Sequence, residues 1–216
     1  MDFVGAYSGA NLSFLFESLL ETLKMAGLAI ILSLILGIIL GVLRFARIPV
    51  ITQIVAIIVD ILRNLPLVLI IMVSYFGLRD FGIQLDVFSA AILALTIFEA
   101  AMISEIVRSG LNSIPKGQME AARSSGLSYT QALWHIILPQ GLRRMVPPTV
   151  SQCIALLKDT SLTIAIGATE LMYAARVVYA SQTSYMVPTL ILVALIYFVI
   201  NYSLSILSRR LEAKQI

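Results

Sequence analysis

Asp60, Arg63, Glu99, Lys158 and Asp159 are ionisable residues set inside long runs of Leu, Ile, Val and Ala. At the centre of a bilayer each such residue costs roughly 2.5 to 3.5 kcal/mol or more unless it is paired or wet, so charges kept there mark a polar pathway or a buried ion pair. Asp60 and Arg63 stand three apart and share a helix face, with Pro66 freeing a backbone carbonyl just beyond them. Asp159, beside Thr160 and Ser161, also suits a helix end. The set presents two cationic and three anionic groups, so it can hold both ends of a zwitterion by charge-assisted hydrogen bonds. The alternative is that Asp60 with Arg63, and Lys158 with Asp159, are ion pairs that serve only assembly. Glu105 differs: six residues at roughly 100° each place it about 120° around the helix from Glu99 and close to Arg108, which assigns it to structure or gating.

The elements that position these residues follow from composition. Of 216 residues 59% are hydrophobic and 12% charged, and the mean hydropathy is +0.96; soluble domains average about 25% charged. This is an all-α integral membrane protein. A lone Cys153 in an apolar segment excludes an intrachain disulfide, and a lone His135 excludes the usual His/Cys metal cluster. The first residues, MDFVGAYSGAN, carry an acid and no basic region, so no cleavable signal peptide is expected. The basic residues lie beside apolar segments, which points to a cytoplasmic membrane flank and not to nucleic acid.

A helix needs about 20 apolar residues to cross the hydrocarbon core. Five spans are expected, at about 22–43, 50–78, 87–107, 145–166 and 186–207, in one permeation domain over residues 1–216. Arg44 and Arg47 follow the first span, Arg108, Lys116, Arg123, Arg143 and Arg144 flank the loop between the third and fourth, and Arg209, Arg210 and Lys214 follow the fifth. These fall on one side, which places the amino terminus outside and the carboxyl terminus inside. At about 1.5 Å per residue, Asp60, Arg63, Glu99, Lys158 and Asp159 all lie near the midplane. Gly37-x-x-x-Gly41 could admit a neighbouring helix closely. Between the last two spans, Leu171, Ala174, Ala175 and Val178 repeat at helical spacing and predict a short external helix.

The loop at about 113–140 is the polar exception, and "MEAARSSGLSYTQALWHIILPQ" reads as two short helices around a glycine. Pro115 suits a first helical turn, Gly126 a left-handed terminator, and Ser128-x-x-Gln131 a capping box opening a second helix that runs toward Pro139. Small residues Ala121 and Ala122 would let the first helix lie in a groove of another protein.

Glu120-Ala121-Ala122, three residues, Gly126, nine residues, then Ile136-x-Leu138-Pro139 resembles the "EAA" loop of permease subunits of ATP-binding-cassette importers. "RNLPL" (63–67), "FEAAMISEIVRSGLNSI" (98–114) and "LKDTSL" (157–162) resemble the polar-amino-acid branch, the permeases for histidine, arginine, glutamine and glutamate. The resemblance implies a five-span permease working as a homo- or heterodimer, a separate ATPase subunit that binds ATP and Mg, and an extracytoplasmic solute-binding protein. It gives Glu120, Ala121, Ala122, Gly126 and Pro139 to the coupling helix and its flank, and Phe98 and Glu99 to the substrate region. The chain itself has no G-x-x-x-x-G-K-[ST], so it is not expected to bind a nucleotide or to act as an enzyme. An α-amino acid matches midplane charges of both signs: Arg63 or Lys158 for the carboxylate, Asp60 or Glu99 for the ammonium. Glutamate, glutamine or aspartate is the expected cargo, with basic amino acids as the alternative.

The competing expectation is a self-sufficient secondary transporter or channel in which Asp60, Glu99 and Asp159 carry protons. The orientation is directly testable. A reporter fused after Ile216 is expected on the cytoplasmic side and a tag at Asp2 in reach of an impermeant reagent from outside; a shielded Asp2 tag would mean that one of the five spans does not cross.

Overall fold

The computed structural model describes residues 1–46 and 48–213, so Arg47 and Lys214 of the expected basic flanks lie outside the described residues, as does the side chain of Arg210. Every regular element among the described residues is helical. After one turn at Phe3–Ala6, α1 runs Gly9–Phe45, α2 Ile51–Asn64, α3 Leu67–Asp80, α4 Val87–Asn112, α5 Lys116–Ser124, α6 Tyr129–Ile166, α7 Leu171–Ser181 and α8 Met186–Ala213. By length and composition α1, α4 and the helix over Thr183–Ile206 can each cross a membrane, and the number becomes 5 if the bent pairs α2–α3 and α6–α7 are single spans.

Three boundaries differ from the sequence expectation, each for a local reason. The first helix starts at Gly9, capped by the Ser8 side chain, and not near Thr22. Glu17, Glu21 and Lys24 interrupt the apolar run without interrupting helical hydrogen bonding. The second apolar segment is broken: α2 and α3 meet at 105°. Leu65 (φ −88°, ψ 144°) and Pro66 (φ −59°, ψ 129°) are both extended, because a proline ring drives the preceding residue out of the helical region while itself suiting a helix start. The third difference is that the loop's second helix does not stop near Pro139. It continues through a wide turn at Leu133–Ile137, where the Leu138 amide donates to the Leu133 carbonyl five residues back. That widening lets Pro139 open the next α-helical stretch, where the absent N–H and the ring are tolerated.

Packing is organised around α1 against α4. A Cβ on Gly37 would lie 2.7 Å from the Ile103 Cβ, and one on Gly41 only 2.5 Å from the Val107 Cβ, so the two backbones approach closely through the paired glycines. An alanine-rich face of α4, including Ala90, Ala94 and Ala101, is fully buried. The expected short helix before the last span is present as α7, with Leu171, Ala174, Ala175 and Val178 all buried and the first three packed with Leu15 and Val193. Glu170 caps its start, accepting from the Met172 and Tyr173 amides at 2.7 and 2.6 Å.

Gly41→Leu is expected to destabilise the purified protein by about 1–3 kcal/mol or more, because Cβ-branched Val107 and the Ser104 carbonyl cannot withdraw. Gly27→Ala, with nothing within 4 Å of the new methyl, should be neutral or slightly stabilising. Thermal unfolding in detergent checks both.

Candidate functional site

The sequence candidates separate into two clusters at different heights on α4. In the first, Glu99 is fully buried and its Oε2 accepts a hydrogen bond from Gln152 Nε2 of α6 at 3.2 Å. Its Oε1 is buried without a partner. Asp159, half-buried, lies within electrostatic range of Glu99. Lys158 is exposed beside it, and its carbonyl accepts from the Ser161 hydroxyl at 2.7 Å. Phe98 packs against the core formed by Met25, Ala94 and Leu156. The structure therefore places Asp159 within electrostatic range of Glu99 and adds Gln152, which sequence reasoning missed. The available signal was an amide in an otherwise apolar span.

The second cluster sits about 9 Å further along α4, six residues on. Glu105 Oε2 takes Arg44 Nη1 at 2.9 Å and Arg63 Nη1 at 3.4 Å, while its Oε1 takes Arg108. Asp60 is paired with Arg44 at 3.4 Å. The direct Asp60–Arg63 pair considered as an assembly contact is thus replaced by contacts from each residue to another helix. The 105° break accompanies this arrangement, in which α2 carries Asp60 to Arg44 of α1 and Arg63 to Glu105 of α4. The sequence marks Arg44 only as a flanking charge, yet its side chain is 7% exposed.

The loop is built as its caps dictate. The Leu127 amide donates to the Ala122 carbonyl and the Gly126 amide to the Arg123 carbonyl, with Gly126 at φ +89°: the Schellman termination that glycine permits. Ser128 and Gln131 form the expected reciprocal capping box. Pro115 precedes the first turn as its cap. Glu120 and Ala121 are exposed whereas Ala122 is 7% exposed, so only one of the two alanines is open to a partner. Pro139 is exposed on α6. Between α5 and the helix ends lies a cavity of about 280 Å³ lined by Phe45, Ile114, Lys116, Met119, Tyr129 and Ile137, among others. Trp134 is 65% exposed.

A helical bundle with a polar middle, a capped polar loop and apolar spans defines a membrane transport subunit, and comparison with known proteins makes the class specific. Residues 4–216 match the family of binding-protein-dependent transport system inner membrane components, and the chain belongs to that family. It is 56% identical over 217 residues, 100% of both chains, to the probable glutamine ABC transporter permease protein GlnP of Bacillus subtilis (strain 168). It is 46% identical over 158 residues to the probable glutamine ABC transporter permease protein GlnM of the same organism, covering 71% of this chain and 73% of that one. A crystal structure of an amino acid ABC transporter with histidines superposes with a TM-score of 0.92 at 28% identity, covering 99% of each chain. The protein is a permease of the amino-acid class of ABC transporters, a multi-pass component of the plasma (inner) membrane, and is not itself an enzyme.

Gln152→Leu is expected to cost about 1–3 kcal/mol, since it strips a buried carboxyl of its hydrogen-bond partner. Glu99→Leu with Gln152→Leu should cost less than the sum of the single changes. Additive unfolding free energies would mean that the pair is not made.

Proposed function

We propose that this chain forms five spans, with each bent pair counted as one, an outside amino terminus and an inside carboxyl terminus. Through them it translocates a polar amino acid inward. Glutamine is the preferred cargo, ahead of glutamate and aspartate; the support is the 56% identity to a glutamine-type permease over the whole chain. A second permease copy completes the pathway, a solute-binding protein delivers cargo outside, and a separate ATPase holding ATP and Mg docks inside.

The observation that carries the coupling is the exposed face of α5. Glu120 and Ala121 project from a nine-residue helix whose end is fixed by Gly126, while Ala122 anchors it to the body. In this reading Glu120 and Ala121 enter the ATPase groove, and Ala122, Gly126 and Pro139 hold the helix at its angle. The cargo carboxylate meets Lys158, and the ammonium meets Asp159 and the idle oxygen of Glu99, with Phe98 behind them. Arg63 and Asp60 line the route nearer the inside. Basic cargo is the second reading, favoured by the histidines named for the structurally similar transporter.

Glu120→Arg is expected to leave the permease folded and to cut ATPase co-purification and uptake roughly 30-fold or more, the effect of about 2 kcal/mol at an interface. In the unmutated complex, glutamine should compete best for uptake among a panel of amino acids. Full uptake by Glu120→Arg would sink the coupling role, and preferential competition by arginine or histidine would sink the cargo preference.

A further inference from the structure

We propose that Glu105 is a positioning residue for transport: its carboxylate is the keystone of a latch that holds the α5 ends of α1, α2 and α4 together in one state of the cycle and releases them in the other. The proposal rests on the importer reading above and deepens it. Glu105 contacts no cargo.

One carboxylate is shared by Arg44 of α1, Arg63 of α2 and Arg108 of α4. Asp60, from a position 58% exposed, reaches Arg44 at the longer distance of 3.4 Å. Three guanidinium groups therefore converge because Glu105 is among them, and without it they repel one another. Such an arrangement is all-or-none, since displacing the one carboxylate loosens three contacts at once.

Hydrogen bonding indicates that the closed form is not the only favourable one. Arg44 Nε and Arg63 Nε are buried with no partner, and both the Arg63–Glu105 and Arg44–Asp60 contacts are 3.4 Å long. A second arrangement in which those donors reach water recovers what the closed form leaves unmade. Two states of similar free energy are what a switch requires.

Connectivity ties the latch to α5. From Glu105, α4 runs two turns to Asn112 and passes through Pro115 into α5. Arg144 of α6 secures that junction by donating to the Ser113 carbonyl at 2.6 Å. On the other side, α2 hangs from α1 by a strained turn: Val50 has φ +68°, and the Ile51 amide donates to the Pro49 carbonyl at 2.8 Å. A β-branched residue in this three-residue turn is unfavourable and persists only where surrounding contacts enforce it. The Thr52 hydroxyl, donating to the Leu43 carbonyl at 3.0 Å, is such a contact beside the turn, and the ion contacts of Asp60 and Arg63 hold the far end of α2.

The test uses the whole complex of permease, ATPase and solute-binding protein in vesicles. Glu105→Gln is expected to raise ATP hydrolysis in the absence of the solute-binding protein by roughly 5-fold or more, and to lower uptake per ATP by a similar factor, the range of ordinary coupling energies. Glu105→Asp should recover part of the coupling. Glu105→Gln with Arg108→Gln restores the net charge without restoring the keystone; it should remain uncoupled, and normal coupling in it would overturn the latch. An independent readout is the distance between spin labels at Ile57→Cys on α2 and Ser109→Cys on α4, in a Cys153→Ser background with Glu105 intact. A shift between nucleotide-free and ATP-bound complex is expected. An unchanged distance in a complex that transports would overturn the latch alone; no ATP-dependent uptake by the unmutated complex would overturn the importer reading and the latch with it.

Discussion

The contact of α1 with α4 through Gly37 and Gly41 sets the geometry of everything else. Because Gly41 lies against Val107, Arg44, less than one turn further along α1, comes within 2.9 Å of Glu105 on α4. The same contact fixes the height of Glu99, which lies about 1.7 turns from Glu105 on the same helix and meets Gln152 of α6. A side chain at either glycine would push the helices apart and misplace both clusters together. The packing energy of two small residues thus governs the position of charges that neither residue carries.

A bilayer gives ionisable groups no solvent, and the chain distributes them accordingly. Where helix ends converge, cations outnumber anions, and each finds a carboxylate of another element or of its own helix one turn away. In the middle of the bundle the balance is reversed: Glu99 is buried with one oxygen idle, Asp159 is close by, and Lys158 is open. Incomplete satisfaction of buried polar groups is costly, and it is found both here and at Arg44 Nε and Arg63 Nε of the other cluster. The loop carrying α5 needs no such arrangement, since its caps are local and complete in themselves.

That difference between local and distant causes also explains what could be read in the sequence. Gly126 and the Ser128–Gln131 box were legible because a cap is made within a few residues, and α7 was legible because its buried face repeats at helical spacing. The apolar segments were legible as spans, but their shape was not. Pro66 announces a disturbance in the second segment without specifying a 105° bend or the contact of Arg63 with Glu105 on another helix. Pro139 signals an end that the wide turn before it removes. Arg44 meets Glu105 across 61 positions in the chain, and Gln152 meets Glu99 across 53; nothing local in either residue names its partner. The charges were found, and their pairing waited on the fold.

On the proposed function, energy for transport enters from a separate ATPase and not from an ion gradient across these helices. The most direct measurement is uptake of labelled glutamine into vesicles holding the complete complex, with ionophores collapsing all proton and sodium gradients and ATP supplied on the ATPase side. Uptake is expected to need ATP and the solute-binding protein and to be indifferent to the ionophores. Uptake by the permease alone, driven by an imposed proton gradient and abolished by the ionophores, would contradict it.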